Sequence, residues 1–181
     1  GGGADLVFPH HENECAQSTC AYDEGFANYW MHSGMLQINS EKMSKSLGNF
    51  LLLHEVLEQA RPEALRMLML QTHYRSPLDF SAERLDEADA ALTRIENALG
   101  NAQWLCSNAD ALADTAIDQA ELAAKVAQAR EGFTASMDDD FNAPAALGAI
   151  FTLVSELNQQ CAHVEKLNIA DAEQVMNAHD A

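Results

Sequence analysis

The sequence predicts a mainly α-helical chain with a small β component near its N-terminus. Apolar residues recur at the helical period over residues 81–105, 120–136 and 145–162, as in amphipathic helices. Strands are indicated by a short apolar run at residues 5–8, expected to end a buried strand. Alternating apolar and aromatic residues around a Ser-Gly turn at residues 28–38 predict a β-hairpin or a strand pair that leads into the following polar loop. Together these patterns predict an α+β segment followed by an antiparallel helical bundle.

Local signals support each helix. Pro9 is expected to open a helix over residues 10–22, and Pro62 to open one over residues 62–73, after a helix at 53–60. Ser81 is expected to cap the long helix, residues 107–118 to form an exposed acidic connector, and residues 171–178 to form a last short helix. The expected core positions are Leu65, Leu68, Met69, Thr72, Leu85, Ala88, Leu92, Ile95, Leu99, Val126, Phe133, Leu147, Ile150, Phe151, Val154 and Leu157.

The composition is that of an acidic protein able to bury a core. The chain has 181 residues, 48% of them hydrophobic, and a net charge of −18 from 10 Lys plus Arg and 28 Asp plus Glu. That balance opposes nucleic-acid binding by the surface as a whole. No apolar run approaches the length of a membrane span, and the four cysteines form no CxxC pair, so we expect free thiols, no membrane partner and a cytoplasmic location. The chain starts without Met, and we interpret it as a fragment of a longer protein.

A polar run at residues 39–49 predicts a mobile loop that holds two lysines, Lys42 and Lys45, beside Ser44. These are the only Lys or Arg side chains in residues 1–60, a segment that contains eight Asp and Glu. Two ammonium groups three residues apart suit a polyphosphate, because each can follow charge onto a leaving pyrophosphate. The alternative is an ordinary solvated loop.

The helix expected after Pro9 carries two candidate pairs of metal ligands. His10 and Glu14 are four residues apart and project from one face, where an imidazole nitrogen and a carboxylate oxygen can bind Zn²⁺. His11 and Cys15 form a second pair one position round the helix, equally able to bind zinc. The spacing does not choose between the two pairs.

Other polar residues have a structural interpretation beside a functional one. Residues 138–140 are three aspartates that could bind a metal, but Asn142 as a cap and Pro144 in the first turn favour the start of a helix stabilised by those charges. His32 is expected to be a hydrogen-bonded structural histidine more readily than a substrate contact. The three opening glycines indicate either a close backbone approach or a tight turn.

Four motifs resemble one family. The pentapeptide at residues 42–46 is identical to the KMSKS loop of class I aminoacyl-tRNA synthetases. The segments at residues 1–14 (GGGADLVFPHHENE), 29–34 (YWMHSG) and 137–144 (MDDDFNAP) resemble those of cysteinyl-tRNA synthetases. The tetrapeptide EALR at residues 63–66 is similar to the DALR motif of a helical domain, in which Arg66 could contact tRNA or simply lie on the helix surface.

The resemblance implies an architecture, an activity and a set of site residues. Residues 1–50 would be the edge of a class I Rossmann-like catalytic domain ending in the KMSKS loop, 51–80 a connective region contacting the tRNA stem, and 81–181 a DALR-type bundle. The full protein would be a monomeric ligase that uses ATP with Mg²⁺ to join cysteine to tRNA(Cys), and the fragment alone would be inactive. The residues implied to bind ATP are Lys45 and Lys42, which are also catalytic, with Ser44, Gly2 and Asp5.

The resemblance also implies a zinc ion that selects cysteine through its thiolate. Of the two pairs it chooses His10 and Glu14, with two cysteine ligands upstream of this chain. Two rival functions are weighed against the synthetase. One is the ligase that joins cysteine to glucosaminyl-inositol in mycothiol synthesis, and the other is a non-catalytic acidic helical interaction module.

Overall fold

The computed structural model describes residues 1–23, 25–38, 41–43, 51–107 and 119–179. In these residues the protein is mostly helical with two small sheets, and none of its helices is both long and apolar enough to cross a membrane. The strands are β1 (Gly2–Gly3), β2 (His32–Ser33), β3 (Leu36–Ile38), β4 (Glu41–Lys42) and β5 (Leu78–Phe80). The helices are α1 (Glu12–Tyr22), α2 (Leu53–Leu57), α3 (Pro62–Leu70), α4 (Ala82–Ser107), α5 (Gln119–Asp138) and α6 (Ala143–His179).

The chain divides into two compact units. The first comprises residues 1–89 and 141–144, and the second comprises residues 90–140 and 145–181. All five strands and helices α1 to α3 belong to the first unit, whereas α5 and most of α6 belong to the second. The three-part division predicted from the sequence stays a prediction.

The N-terminal segment forms short helical turns on either side of one extended residue, where a strand was expected. Only Gly2 and Gly3 form a strand; residues 4–6 make a 3-10 turn, Phe8 has an extended backbone (φ −134°, ψ 134°), and helical geometry resumes after it and leads into α1. The prediction of a buried strand at residues 5–8 was therefore wrong, and Phe8 is exposed. An apolar run this short does not distinguish strand from helix by periodicity alone. The helix expected over residues 10–22 is confirmed.

The segment at residues 28–38 joins two different sheets rather than forming one hairpin. β2 pairs in parallel with β1, whereas β3 pairs in parallel with β5 and antiparallel with β4. Of the two expected alternatives the hairpin was thus wrong, although strands lie on both sides of the Ser-Gly turn. Gly34 bonds elsewhere: its N–H donates to the Tyr74 carbonyl at 2.7 Å. Leu78 N–H then donates to the Met35 carbonyl at 3.0 Å, which aligns β5 with β3.

Helix α3 contributes three of the buried apolar residues described in the first unit. It begins at Pro62 as expected, and Ala64, Met67 and Leu68 are buried together with Ile38 of β3. Met69, expected in the core, is exposed. The small Ala64 is part of the reason, because its burial turns the contact face of α3 toward Ala64 and Met67 and away from Met69.

In the second unit, α5 and α6 run antiparallel with small residues between them. A methyl group at Gly132 would lie 3.5 Å from the Ala149 side chain, and Lys125 pairs with Glu156 at 3.4 Å nearer the other end. Val126 and Phe133 were expected on the buried side but are exposed, as is Leu99 on α4. The helices approach where Gly132 faces Ala149, and the larger side chains of α5 lie outside this contact.

The long helices otherwise follow the sequence. Ser81 Oγ accepts a hydrogen bond from the Arg84 N–H at 3.3 Å, which confirms the expected cap of α4. Val154 is buried on α6, and the other core positions expected there are partly buried. Residues 171–178 continue α6 instead of forming a separate short helix. The exposed connector was expected over residues 107–118; Ser107 is the last residue of α4, and residues 108–118 lie outside the described part of the chain.

Gly34→Ala should destabilise the first unit. An added methyl group would overlap the Ser76 carbonyl and lie 2.7 Å from the Pro77 nitrogen, and both are backbone atoms that cannot rotate away. Overpacking of this kind costs about 2 kcal/mol, measurable as a lower free energy of unfolding in urea.

Gly100→Ala on α4 is the matched control, because nothing lies within 4 Å of the added methyl group. Alanine is the better helix former by roughly 0.5–1 kcal/mol, so this variant should be as stable as the parent or more so. Equal stability of Gly34→Ala and the parent would contradict the geometry.

Candidate active site

The centre of the candidate site is the parallel pair β1–β2, which places backbone next to backbone. Gly2 N–H donates to the Met31 carbonyl at 3.1 Å, and Gly2 and Gly3 align with His32 and Ser33. A methyl group at Gly1 would lie only 2.8 Å from the Met31 oxygen. The close backbone approach expected from the opening glycines is therefore present at Gly1 and Gly2.

A pair of histidines covers this strand pair. His11 Nδ1 and His32 Nε2 lie 2.9 Å apart and share a hydrogen bond, in which one ring donates and the other accepts. His11 is buried, and a side chain on Gly2 would contact its ring, with Cε1 at 3.1 Å. The structural role expected for His32 fits this bond. No local pattern in the sequence indicates this pairing, since the two residues are 21 positions apart.

The environment of His11 favours its neutral form. Burial lowers the pKa of His11, and the neighbouring His32 lowers that pKa further, while Glu14 acts in the opposite direction. A neutral ring can accept or donate at Nδ1, which is what a hydrogen bond between two imidazoles requires. The His11 ring consequently adds a polar group to the wall of the site without favouring a positive charge on that ring.

Aromatic rings extend from the histidine pair toward solvent. The Trp30 ring is nearly parallel to that of His32, at 3° and 5.7 Å between centroids, and it stacks on Phe26 at 5.7 Å. It also contacts His11 at 4.9 Å. Phe26 and Tyr29 are exposed. The rings orient His32 by packing, which complements its hydrogen bond to His11.

The two candidate ligand pairs differ in accessibility. His10 Nε2 and Glu14 Oε1 lie 3.5 Å apart, with side chains 60% and 41% exposed, so both can turn toward a common ion. His11 is instead buried and hydrogen-bonded to His32, so Cys15 is the more accessible residue of the second pair. Two donors fit half of a tetrahedral zinc site. Within the part of the chain that the structure describes, no group of three or more His, Cys, Asp or Glu is arranged to hold a metal ion.

The ATP residues expected from the sequence are only partly described. Gly2 lies in β1, and the Asp5 carboxylate folds back against Gly3, occupying the space that a side chain there would need. Lys42 ends β4, paired with Gln37, so its backbone is in a strand where a loop was expected. Ser44 and Lys45 lie outside the described residues.

For two further candidates, the aspartates at residues 138–140 and Arg66, the structure fits the structural interpretation. Asp138 ends α5, and Asp140 and Phe141 adopt left-handed backbone conformations in the turn before α6. Pro144 falls in the first turn of α6, as the helix-start interpretation requires. Arg66 is exposed on α3.

Two family models match the chain in order. The first, described as the tRNA synthetases class I (C) catalytic domain, matches residues 1–90, and the second, described as the DALR domain, matches residues 132–180. The curated cysteine–tRNA ligase of Geobacter sulfurreducens is 52% identical over 165 residues, which are 91% of this chain and 34% of that protein. The chain belongs to the cysteinyl-tRNA synthetase family.

Other cysteinyl-tRNA synthetases match over nearly the same region. The cysteine–tRNA ligase of Persephonella marina is 46% identical over 158 residues, covering 87% of this chain and 32% of that protein. That of Thermococcus gammatolerans is 45% identical over 168 residues, covering 92% and 35%. The chain therefore spans about a third of the length of these curated relatives.

The family match confirms the resemblance drawn from the four motifs, with one correction. The DALR-like tetrapeptide at residues 63–66 falls inside the match to the catalytic domain, whereas the DALR domain itself matches residues 132–180 on α5 and α6. A four-residue motif on a helix recurs by chance, so it did not locate that domain.

Proposed function

We propose that the chain is part of a cysteine–tRNA ligase, which activates cysteine with ATP and transfers it to the 3′ end of tRNA(Cys). The observation that carries the proposal is the order of the two family matches along one chain, together with relatives named cysteine–tRNA ligase at up to 52% identity. A catalytic-domain match over residues 1–90 also counts against a purely structural acidic module.

In the activation step, a carboxylate oxygen of cysteine attacks the α-phosphorus of ATP and pyrophosphate leaves. We assign Lys45, assisted by Lys42, to stabilising the negative charge that develops on the phosphates, and Ser44 to a hydrogen bond with them. Magnesium accompanies ATP as part of the substrate. Support comes from the sequence, since no other Lys or Arg occurs in residues 1–60.

The glycine strand would hold the rest of the nucleotide. Gly2 presents backbone rather than a side chain at the β1–β2 pair, and Asp5 beside Gly3 offers a carboxylate that can accept hydrogen bonds from ribose hydroxyls. His11 and His32 act as positioning residues, because their hydrogen bond ties the start of α1 to β2.

His10 and Glu14 would supply two of four zinc ligands. Both are solvent-accessible and 3.5 Å apart on one helical face, which is the observation that favours them over His11 and Cys15. When bound, zinc supplies a Lewis acid that prefers a thiolate to a hydroxyl and so distinguishes cysteine from serine.

Lys45→Ala in the intact ligase should lower cysteine-dependent ATP–pyrophosphate exchange by a factor of about 100 or more, with little change in the KM for ATP. Losing one charge that acts mainly in the transition state costs on the order of 3 kcal/mol. Lys125→Ala is the control, since its ammonium group pairs with Glu156 in the second unit. Near-normal exchange by Lys45→Ala would refute the assignment.

His10→Ala and Glu14→Ala should each reduce the zinc content of the intact ligase, measured by atomic absorption after dialysis, because each removes a proposed ligand. Cys15→Ala should keep its zinc. The reverse pattern, in which only Cys15→Ala loses metal, would select the other pair.

A further inference from the structure

The acidic charge of the chain is not evenly distributed. Residues 25–78 contain four Asp and Glu against five Lys and Arg, whereas the remaining 127 residues contain 24 against five. The net charge of −18 therefore lies wholly outside residues 25–78. Within that segment, residues 25–40 have no charged side chain, and residues 64–78 have two arginines and no carboxylate.

The structure joins these two stretches into one region, which we call the acid-free region (residues 25–38 and 64–78). The contacts are the hydrogen bond from Gly34 N–H to the Tyr74 carbonyl at 2.7 Å and the bond from Leu78 N–H to the Met35 carbonyl at 3.0 Å. The backbone at Gly34 also touches Ser76 and Pro77 so closely that no side chain would fit. These contacts hold the turn at residues 73–77 against Gly34, which follows His32 of the candidate site by two positions in the sequence.

This turn presents an oriented cation. The guanidinium carbon of Arg75 lies 5.3 Å from the centre of the Tyr74 ring, and Tyr74 in turn stacks on His73 at 5.0 Å and 26°. The backbone N–H of Arg75 also donates a hydrogen bond to His73 Nδ1 at 3.3 Å. Arg75 is exposed, whereas Tyr74 is partly buried and its carbonyl is held by Gly34. Stacking on a ring reduces the rotamer freedom that a surface arginine would lose on binding.

We propose that Arg75, held over Tyr74, binds a phosphate of the RNA near its acceptor end. The inference rests on the proposed function, which brings the 3′ end of a tRNA to the β1–β2 pair. Most of the surface of so acidic a chain repels phosphate, but the acid-free region contributes no carboxylate to do so, and a planar guanidinium matches the geometry of phosphate oxygens. RNA is favoured over ATP because Lys42 and Lys45 already supply two cations for the nucleotide.

The test compares three variants of the intact ligase for tRNA binding across a series of KCl concentrations. Arg75→Ala should weaken binding about tenfold and reduce the slope of log K against log[salt] by roughly 0.7–0.9, the value expected for one lost phosphate contact. Arg75→Lys should restore the slope but only part of the affinity, since it keeps the charge and loses the planar fork. Arg84→Ala, an exposed arginine flanked by Glu83, Asp86 and Glu87, should leave both unchanged.

Cysteine-dependent ATP–pyrophosphate exchange without RNA separates this inference from the proposed function. If the parent protein lacks exchange, the proposed function fails. If the parent exchanges normally and Arg75→Ala does too while binding tRNA more weakly, the inference holds. Three results would overturn the inference. The first is an unchanged salt slope in Arg75→Ala, and the second is an equal loss of tRNA affinity in Arg84→Ala. The third is a parallel loss of ATP–pyrophosphate exchange in Arg75→Ala, which would assign Arg75 to ATP. Thermal unfolding of each variant checks that the fold is retained.

Discussion

Close contact between backbones, possible only at glycine, is the constraint on which the candidate site depends. On one side of residues 31–35, Gly1 and Gly2 approach the Met31 carbonyl, and further along the same segment Gly34 meets the turn at Ser76 and Pro77. A side chain at Gly1 or Gly34 would separate main chains that now touch, and one at Gly2 would displace the side chains of Leu6 and His11. The segment carrying His32 is therefore positioned by main-chain atoms, which have far less freedom to relax than side chains.

This constraint also determines the electrostatics around the strand pair. Gly2 leaves room for the His11 ring, and the ring is buried there against His32. Because burial and the second imidazole both lower the pKa of His11, its ring favours the neutral form beside β1. A neutral His11 is not suited to stabilise phosphate charge near β1, a role that the proposed function gives to Lys42 and Lys45.

The sequence predicted the elements that depend on local signals and missed those that depend on distant contacts. The start of α3 at Pro62 and the Ser81 cap of α4 were predicted correctly, because their causes lie within one turn of helix. The pairing of β2 with β1, and of β3 with β5 rather than with β2, depends on residues about 30 to 40 positions away, which periodicity does not report. The exposure of Val126 and Phe133 has the same origin, since a contact through Gly132 selected the other face of α5.

The candidate site shows the same division between local and distant information. Spacing alone placed both pairs, His10 with Glu14 and His11 with Cys15, on the same helix and did not choose between them. The contact of His11 with His32, which favours the first pair, comes from the fold, because His32 lies on another segment.

The net charge of the whole chain is a poor guide to RNA binding for a related reason, because it includes residues that a bound RNA does not approach. At an ionic strength of 0.1 M the screening length is about 10 Å, so a phosphate responds mainly to charges in its immediate surroundings. Residues 25–78 hold half of all the Lys and Arg of the chain but only four of its 28 Asp and Glu. An acidic total is therefore compatible with binding of a polyanion at this segment, and carboxylates elsewhere would help to exclude RNA from surfaces where binding is unproductive. The relevant quantity is the charge within one screening length of the bound phosphates, and it is set by which segments the fold brings together.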